Sequence, residues 1–176
     1  MPLLIRSERL EITPISELDL EEVRMLHNDP ETLRWLSDTR EVSMQDQEIW
    51  FEAVKNSKTS QRYIVRSLSD KKLVGVFRFD NFDSTNRSVD IGLDIDAKSR
   101  RLGYARETYQ TLIPYFFTDL QINRLALITL STNLAAINLY EQLGFQREGI
   151  LREAFYRNSI YIDAYQYSLL RSEIRV

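Results

Sequence analysis

Cysteine is absent from this sequence, and histidine occurs once, at His27. Without thiols there are no disulfides, no thiolate metal sites and no cysteine nucleophile; a single histidine argues against a His-based zinc site or a catalytic triad, so no metal is expected. Glycine and proline are scarce, at five and four. No repeat, low-complexity tract or Pro/Gly/Ser linker marks a boundary, so one domain over residues 1–176 is expected. No apolar run approaches the roughly 18 residues of a membrane span. The opening MPLLIRSERLEI is too short an apolar segment for a secretory signal, so the cytoplasm is the expected compartment, without a membrane partner. Twenty-three basic against 26 acidic side chains give a net charge of −3. With no basic run, a nucleic-acid partner has little support, while cationic substrates stay open.

What is present is a balanced globular composition, 43% apolar and 28% charged, in a chain long enough to bury one core. Alternation over Leu10 to Ile15 predicts a first strand. Ser16 is placed to cap a helix from about Glu17 to His27, with Leu18, Val23 and Leu26 on its buried side. The segment HNDPE closes that helix. A second helical region, broken near Asp38, resumes at Ser43, carries Ile49, Trp50, Phe51 and Val54, and stops around Asn56. RYIVRSL, KLVGVFRFDNF and SVDIGLDI are rich in β-branched and aromatic residues and predict an antiparallel meander. From Gly103 the period turns helical: Ala105, Tyr109, Leu112, Ile113, Phe116 and Phe117 form one stripe, which Pro114 should kink or disturb. RLALITL then reads as a buried strand. Ala136, Ile137, Tyr140 and Leu143 make a further helical face ending at Gly144, a left-handed cap position. Strands around Gln146 to Phe155 and Tyr161 to Leu170 complete a mixed α/β sheet.

Two segments carry chemistry. In SVDIGLDIDAKSRRLGYARETY a strand passes through a basic turn and one glycine into a helix. Helix-start N–H groups lack intrahelical acceptors and the dipole adds positive charge, so an anion such as a pyrophosphate can sit there, with Arg100, Arg101 and Arg106 adding charge. A turn-relieving Gly103 among solvated arginines is the alternative. In STNLAAINLYEQLGFQREG, Asn133 and Tyr140 lie about two turns apart on nearly one face. A phenol there can protonate a leaving thiolate, their reference pKa values being near 10 and 8.5, or simply cover the core.

Arg100-x-x-Gly103-x-Ala105 after a strand, then Asn133-x-x-Ala136-x-x-Leu139-Tyr140 and Leu143-Gly144-Phe145, together resemble the acetyl-CoA signature of GNAT N-acetyltransferases. HNDPETLRWL and the tail GFQREGILREAFYRNSIYIDAYQYSLL resemble the branch with ribosomal-protein N-terminal, spermidine and amino-sugar acetyltransferases, so the likeness spans nearly the whole chain. It implies a central, mostly antiparallel sheet of six to seven strands flanked by about four helices. It further implies that the backbone of Leu93, Asp94 and Ile95 pairs with the pantetheine arm. Arg100, Arg101, Leu102, Gly103, Tyr104 and Ala105 form the pyrophosphate loop, Asn133 and Asn138 contact the cofactor, and Tyr140 is the general acid. The chain departs from the pattern at Arg101, where the family often has Gly, and at Leu102, where it often has Lys or Arg.

Attack on a thioester needs a neutral amine, which alkyl amines near pKa 10 are not at pH 7, so a base or water must assist. Asp90 is the candidate base, with an ion pair to Arg87 or Arg78 as its structural alternative; Asp29 and Glu31 border the expected acceptor region. His27 reads as a helix-end residue. Trp35, Trp50, Phe51 and Tyr63 line an acceptor groove or belong to the core. The implied partners are acetyl-CoA and a primary amine, a protein or peptide α-amine ranking above a polyamine or amino sugar; a homodimer is compatible with this reading. A CoA-binding module without catalysis is a rival. A nucleotide-binding protein lacks its GxGxxG or P-loop.

Overall fold

The computed structural model describes residues 4–174; Met1 to Leu3, the start of the segment read above for a signal, lie outside the described residues. Strands β1 (Ile5–Arg6) and β2 (Leu10–Pro14) lead into helices α1 (Leu20–Asn28), α2 (Pro30–Leu33) and α3 (Met44–Asn56). The meander follows as β3 (Gln61–Ser67), β4 (Leu73–Asp83) and β5 (Ser88–Ile95), then α4 (Tyr104–Thr118), β6 (Arg124–Leu130), α5 (Leu134–Gln142), β7 (Gln146–Arg157) and β8 (Ile160–Leu170). Among the described residues one sheet has the order β1-β2-β3-β4-β5-β6-β8-β7, and every neighbouring pair is antiparallel except β5–β6. The strand beyond the expected six to seven is β1, whose two residues are too few to show a period, and α2, of four residues, is the short first part of the broken second helical region. No helix among the described residues is long and apolar enough to cross a membrane.

Alternation assigns the two faces. Phe77 and Phe79 of β4 and Val89 and Ile91 of β5 point to one face, where they pack on Tyr109, Leu112, Phe116 and Phe117 of α4. Phe77 stacks on Phe116 at 5.6 Å and meets Tyr109 edge-on at 5.7 Å, contacts worth about 0.5–1.5 kcal/mol each beyond their area. Val76 and Ile64 point to the other face, against Val23 of α1 and Trp50 of α3. α4 continues past Pro114, which removes one N–H from its ladder without ending the helix.

The first helix differs from its expected form. Residues Glu17–Asp19 make a 3-10 turn, closed by the Asp19 carboxylate accepting from Ser16 N and Oγ at 2.8 and 2.6 Å. The α-helical period therefore starts at Leu20, which takes the buried place assigned to Leu18, now 93% exposed. In α3, Ser43 and Asp46 form a capping box. Its buried row is Gln47, Phe51 and the half-buried Trp50 and Val54, with Ile49 left in solvent. Gly144 ends α5 with φ +92°.

The far edge is pinned by charge. Arg124 at the start of β6 donates to both Glu148 oxygens of β7 at 2.6 and 2.5 Å, and Ser168 Oγ of β8 donates at 2.8 Å. Hydrogen bonds from Arg124 above all hold the Glu148 carboxyl down at about 2 against an ordinary 4.5. Because the folded value is the lower one, this contribution is present above pH 4.5 and is lost as pH falls toward 2. Glu148→Gln should therefore cost up to about 1 kcal/mol at pH 7, the pair being partly exposed. In urea denaturation the gap to wild type should close between pH 4.5 and 2.

Candidate active site

β5 and β6 pair only through Ser88↔Arg124, Val89↔Leu125 and Asp90↔Ala126. Beyond that point β5 runs on to Ile95 against β4 alone, and β6 to Leu130 against β8 alone. The parting leaves strand edges facing one another across a cavity of about 460 Å³, whose walls include Ile91 to Asp94, Ala126 to Leu130, Asn133, Ala136 and Tyr140. Leu93 and Asp94 are thus lining residues of this cavity. Ile95 packs on the core at the strand end.

The turn after β5 delivers the chain to α4. Gly103 is the N-cap of α4 at φ +84°, and a Cβ there would lie 3.2 Å from Arg9 Nη2. Tyr104 and Ala105 open the helix half-buried, and Leu102 is exposed. Arg101 has φ +62°, so the position where the family favours Gly needs left-handed backbone, and Arg101 adopts it at a cost of roughly 1–2 kcal/mol.

Two of the three arginines read around this turn make their contacts elsewhere. Arg100 turns inward: Nη1 and Nη2 donate to the Glu31 carbonyl and Thr32 Oγ1 at 3.0 and 2.9 Å, and Nε to Ile95 O at 3.2 Å. It braces α2 against the end of β5. Arg106 donates to Gln142 Oε1, tying α4 to α5. Arg9 reaches the turn instead, donating to Leu102 O at 3.0 Å and pairing with Glu107. Asn133 caps α5, accepting from Ala136 N at 3.2 Å. Asn138 stands on the exposed side of α5, away from the Tyr140 face and outside the cavity walls, because two residues on a helix are about 200° apart.

The cavity floor is polar. Asp90, Gly92 and Asp94 alternate with the core residues of β5 and share a face with Arg78 and Asp80 of β4. Arg78 lies across Gly92, where any Cβ would come within 2.6 Å of its Nη2, and its Nε is 3.5 Å from Asp94 Oδ2. The Asp94 charge holds Arg78 firmly protonated. Tyr140 is buried, edge-on to Tyr109 at 5.7 Å. Burial raises the Tyr140 phenol above its ordinary value, while the Tyr109 side chain and then the Arg78 charge pull it back. Tyr140 and Arg78 both line this cavity. Asp90 is exposed at the point where the strands part and accepts from Asn81 Nδ2 at 2.8 Å; the alternative ion pair with Arg87 or Arg78 is not formed.

A second cavity, about 350 Å³, lies between α1, α3 and the sheet, and shares Ser37, Arg78 and Asp94 with the first. Trp50 lines it and Trp35 lines the first, whereas Phe51 and Tyr63 are buried core. Its acids are engaged: Asp38 by Arg40 at 2.7 Å and Asp46 at the α3 cap. Nearby, Asp29 caps α2 and Glu31 pairs with Arg34. His27 ends α1, its Nε2 donating to Arg40 O at 3.0 Å. From β7, Arg157 Nη2 donates to Leu36 O and Ser37 O at 2.7 and 2.9 Å and fixes the rim between the cavities. Sequence reasoning missed Arg78 as a floor residue, Gln47 as a lining residue and this strap; only the charged residue opposite Gly92 in β4 hinted at the first.

A family model for the acetyltransferase (GNAT) domain matches residues 9–146. The chain is 26% identical over 171 residues to the uncharacterized N-acetyltransferase YoaA of Bacillus subtilis (strain 168), covering 96% of this chain and 97% of that one. It is 24% identical over 168 residues to the spermidine N(1)-acetyltransferase of Vibrio cholerae, covering 95% and 96%. The crystal structure of the V. cholerae spermidine N-acetyltransferase in complex with CoA and spermine shares the fold, with a TM-score of 0.89 at 24% identity over 95% of this chain and 98% of that one. Since the family model spans most of the sequence and the parted strands and capped helices lie within the matched region, this chain belongs to the GNAT acetyltransferases.

Proposed function

We propose that residues 1–176 act as a single domain that binds acetyl-CoA in the first cavity and transfers its acetyl group to a primary amine, with a protein or peptide α-amine as the preferred acceptor. The observation that carries this reading is the parting of β5 and β6 after Asp90↔Ala126, which leaves strand edge free for an amide-bearing chain between them. The turn at Arg101 to Ala105 and the start of α4 are suited to the pyrophosphate. The thioester supplies an activated acetyl carbon. The amine nitrogen bonds to that carbon as the carbon–sulfur bond breaks; Tyr140 gives its proton to the leaving thiolate, and the ammonium proton leaves to Asp90, directly or through water. The phenol is then restored from solvent.

An α-amine near pKa 8 is already partly neutral at pH 7, so the one exposed carboxylate at the parting point is adequate help. The likeness to V. cholerae spermidine N(1)-acetyltransferase supports a polyamine instead. Against it, Glu31 and Asp38 near the second cavity are each paired with an arginine.

Tyr140→Phe should lower kcat by roughly 10²–10⁴ while calorimetry shows unchanged acetyl-CoA affinity; unaltered turnover would remove Tyr140 from the chemistry. Gly103→Val, which places a side chain at φ +84°, should abolish acetyl-CoA binding in the same calorimeter while cooperative unfolding persists. Saturable binding without CoA release for any amine would instead favour the non-catalytic module. With labelled acetyl-CoA and a fractionated lysate, label is expected on protein N-termini; label confined to small molecules would reverse the acceptor ranking.

A further inference from the structure

Helix α3 places Gln47 on its buried row, one turn before Trp50 and Phe51, where an apolar side chain would be ordinary. Gln47 is 4% exposed, lines the second cavity, and its Nε2 has no hydrogen-bond partner among the described residues. An amide held there unpaired costs stability unless something entering the cavity pairs with it. Arg78, which lines both cavities, is paired with Asp94, its Nε 3.5 Å from Asp94 Oδ2. Other polar groups of the same walls are committed: Asp38 to Arg40, Asp46 to Ser43, and Arg62 to Asp80 at 2.7 Å. The buried group left uncommitted is therefore the Gln47 Nε2 donor, set among the apolar surfaces of Val23, Leu26 and Trp50.

We infer that the second cavity recognises a hydrogen-bond acceptor beside the reacting amine, so that the substrate is an α-amine flanked by a carbonyl, as at a peptide N-terminus, with Gln47 the specificity-determining residue. The inference rests on the acetyltransferase reading and narrows its acceptor. A polyamine brings ammonium donors, which Gln47 Oε1 can accept but which leave the buried Nε2 without an acceptor. A peptide N-terminus carries a carbonyl oxygen one carbon beyond the amine-bearing carbon, and that oxygen accepts from Gln47 Nε2. Ser37, Arg78 and Asp94 belong to both cavities, so an amine presented to the first keeps its flanking carbonyl and side chain in the second.

The test titrates the CoA-saturated protein, by calorimetry, with a short peptide amide and with the same peptide whose first carbonyl is replaced by methylene. Wild type should bind the carbonyl peptide about tenfold more tightly. Gln47→Met should erase that preference, and Gln47→Glu, which keeps the length but removes the donor, should erase it too; retained acetyl-CoA affinity certifies that each variant is folded. Equal binding of the two peptides by wild type, no peptide binding, or a preference that survives in both variants would overturn the inference. Failure of wild type to bind acetyl-CoA would overturn the reading beneath it, and this inference with it.

Discussion

The parallel pairing of β5 with β6 governs the rest of the structure. A parallel neighbour requires a crossover, and α4 supplies it, so the helix that fills the core also begins at the end of β5. The pairing lasts only to Asp90↔Ala126. From there one strand runs toward the turn before α4 and the other toward α5, whose N-cap Asn133 lines the cavity. Free strand edge buried without partners would be costly, but here it borders a cavity open to water, and a ligand with amide groups can replace that water.

Electrostatics at the floor follow from the same geometry. The opening between the strands lets Arg78, on the face of α1 and α3, act on Tyr140, which belongs to the opposite layer. Gly92 permits this by giving Arg78 room to lie flat. Asp94 balances the guanidinium at 3.5 Å, so the floor holds a paired cation beside a buried phenol. Asp94 is thus the charge partner that holds Arg78 in this place.

Features set by neighbours along the chain were legible in the sequence. The meander, the α4 stripe from Tyr109 to Phe117, Asn133 at a helix start and the left-handed Gly103 and Gly144 all express local periods or backbone preference. Features set by distant neighbours were not. Arg100 reads as a phosphate ligand because its partners, Glu31 and Thr32, stand nearly 70 positions earlier. Leu18 reads as core because a 3-10 turn and an α-turn share their first residues. Asn138 was counted with Asn133, although five helical steps carry it to the solvent side. The left-handed Arg101 was visible only as a departure from a family glycine, and its backbone explains why that glycine is favoured.

Arginine pairing around α2 and the 36–42 segment has a consequence for how an acceptor is chosen. Arg40 holds the Asp38 carboxyl well below the usual range through direct hydrogen bonds, and Arg34 neutralises Glu31. Asp29, Glu41 and Asp46 have no ion-pair partner among the described residues, so the rim keeps an acidic excess that attracts amine cations of either class without choosing between them. Selection then falls to short-range contacts inside the cavity, where discrimination is asymmetric. An apolar wall separates substrates differing by a methylene only modestly, whereas a buried donor left unpaired by the wrong substrate rejects it strongly. Gln47 Nε2 is a donor of that kind, and it faces the same space as Trp50 and Leu26. On the proposed reading the walls tolerate variation in a side chain while Gln47 favours an oxygen beside the amine, which a peptide N-terminus supplies.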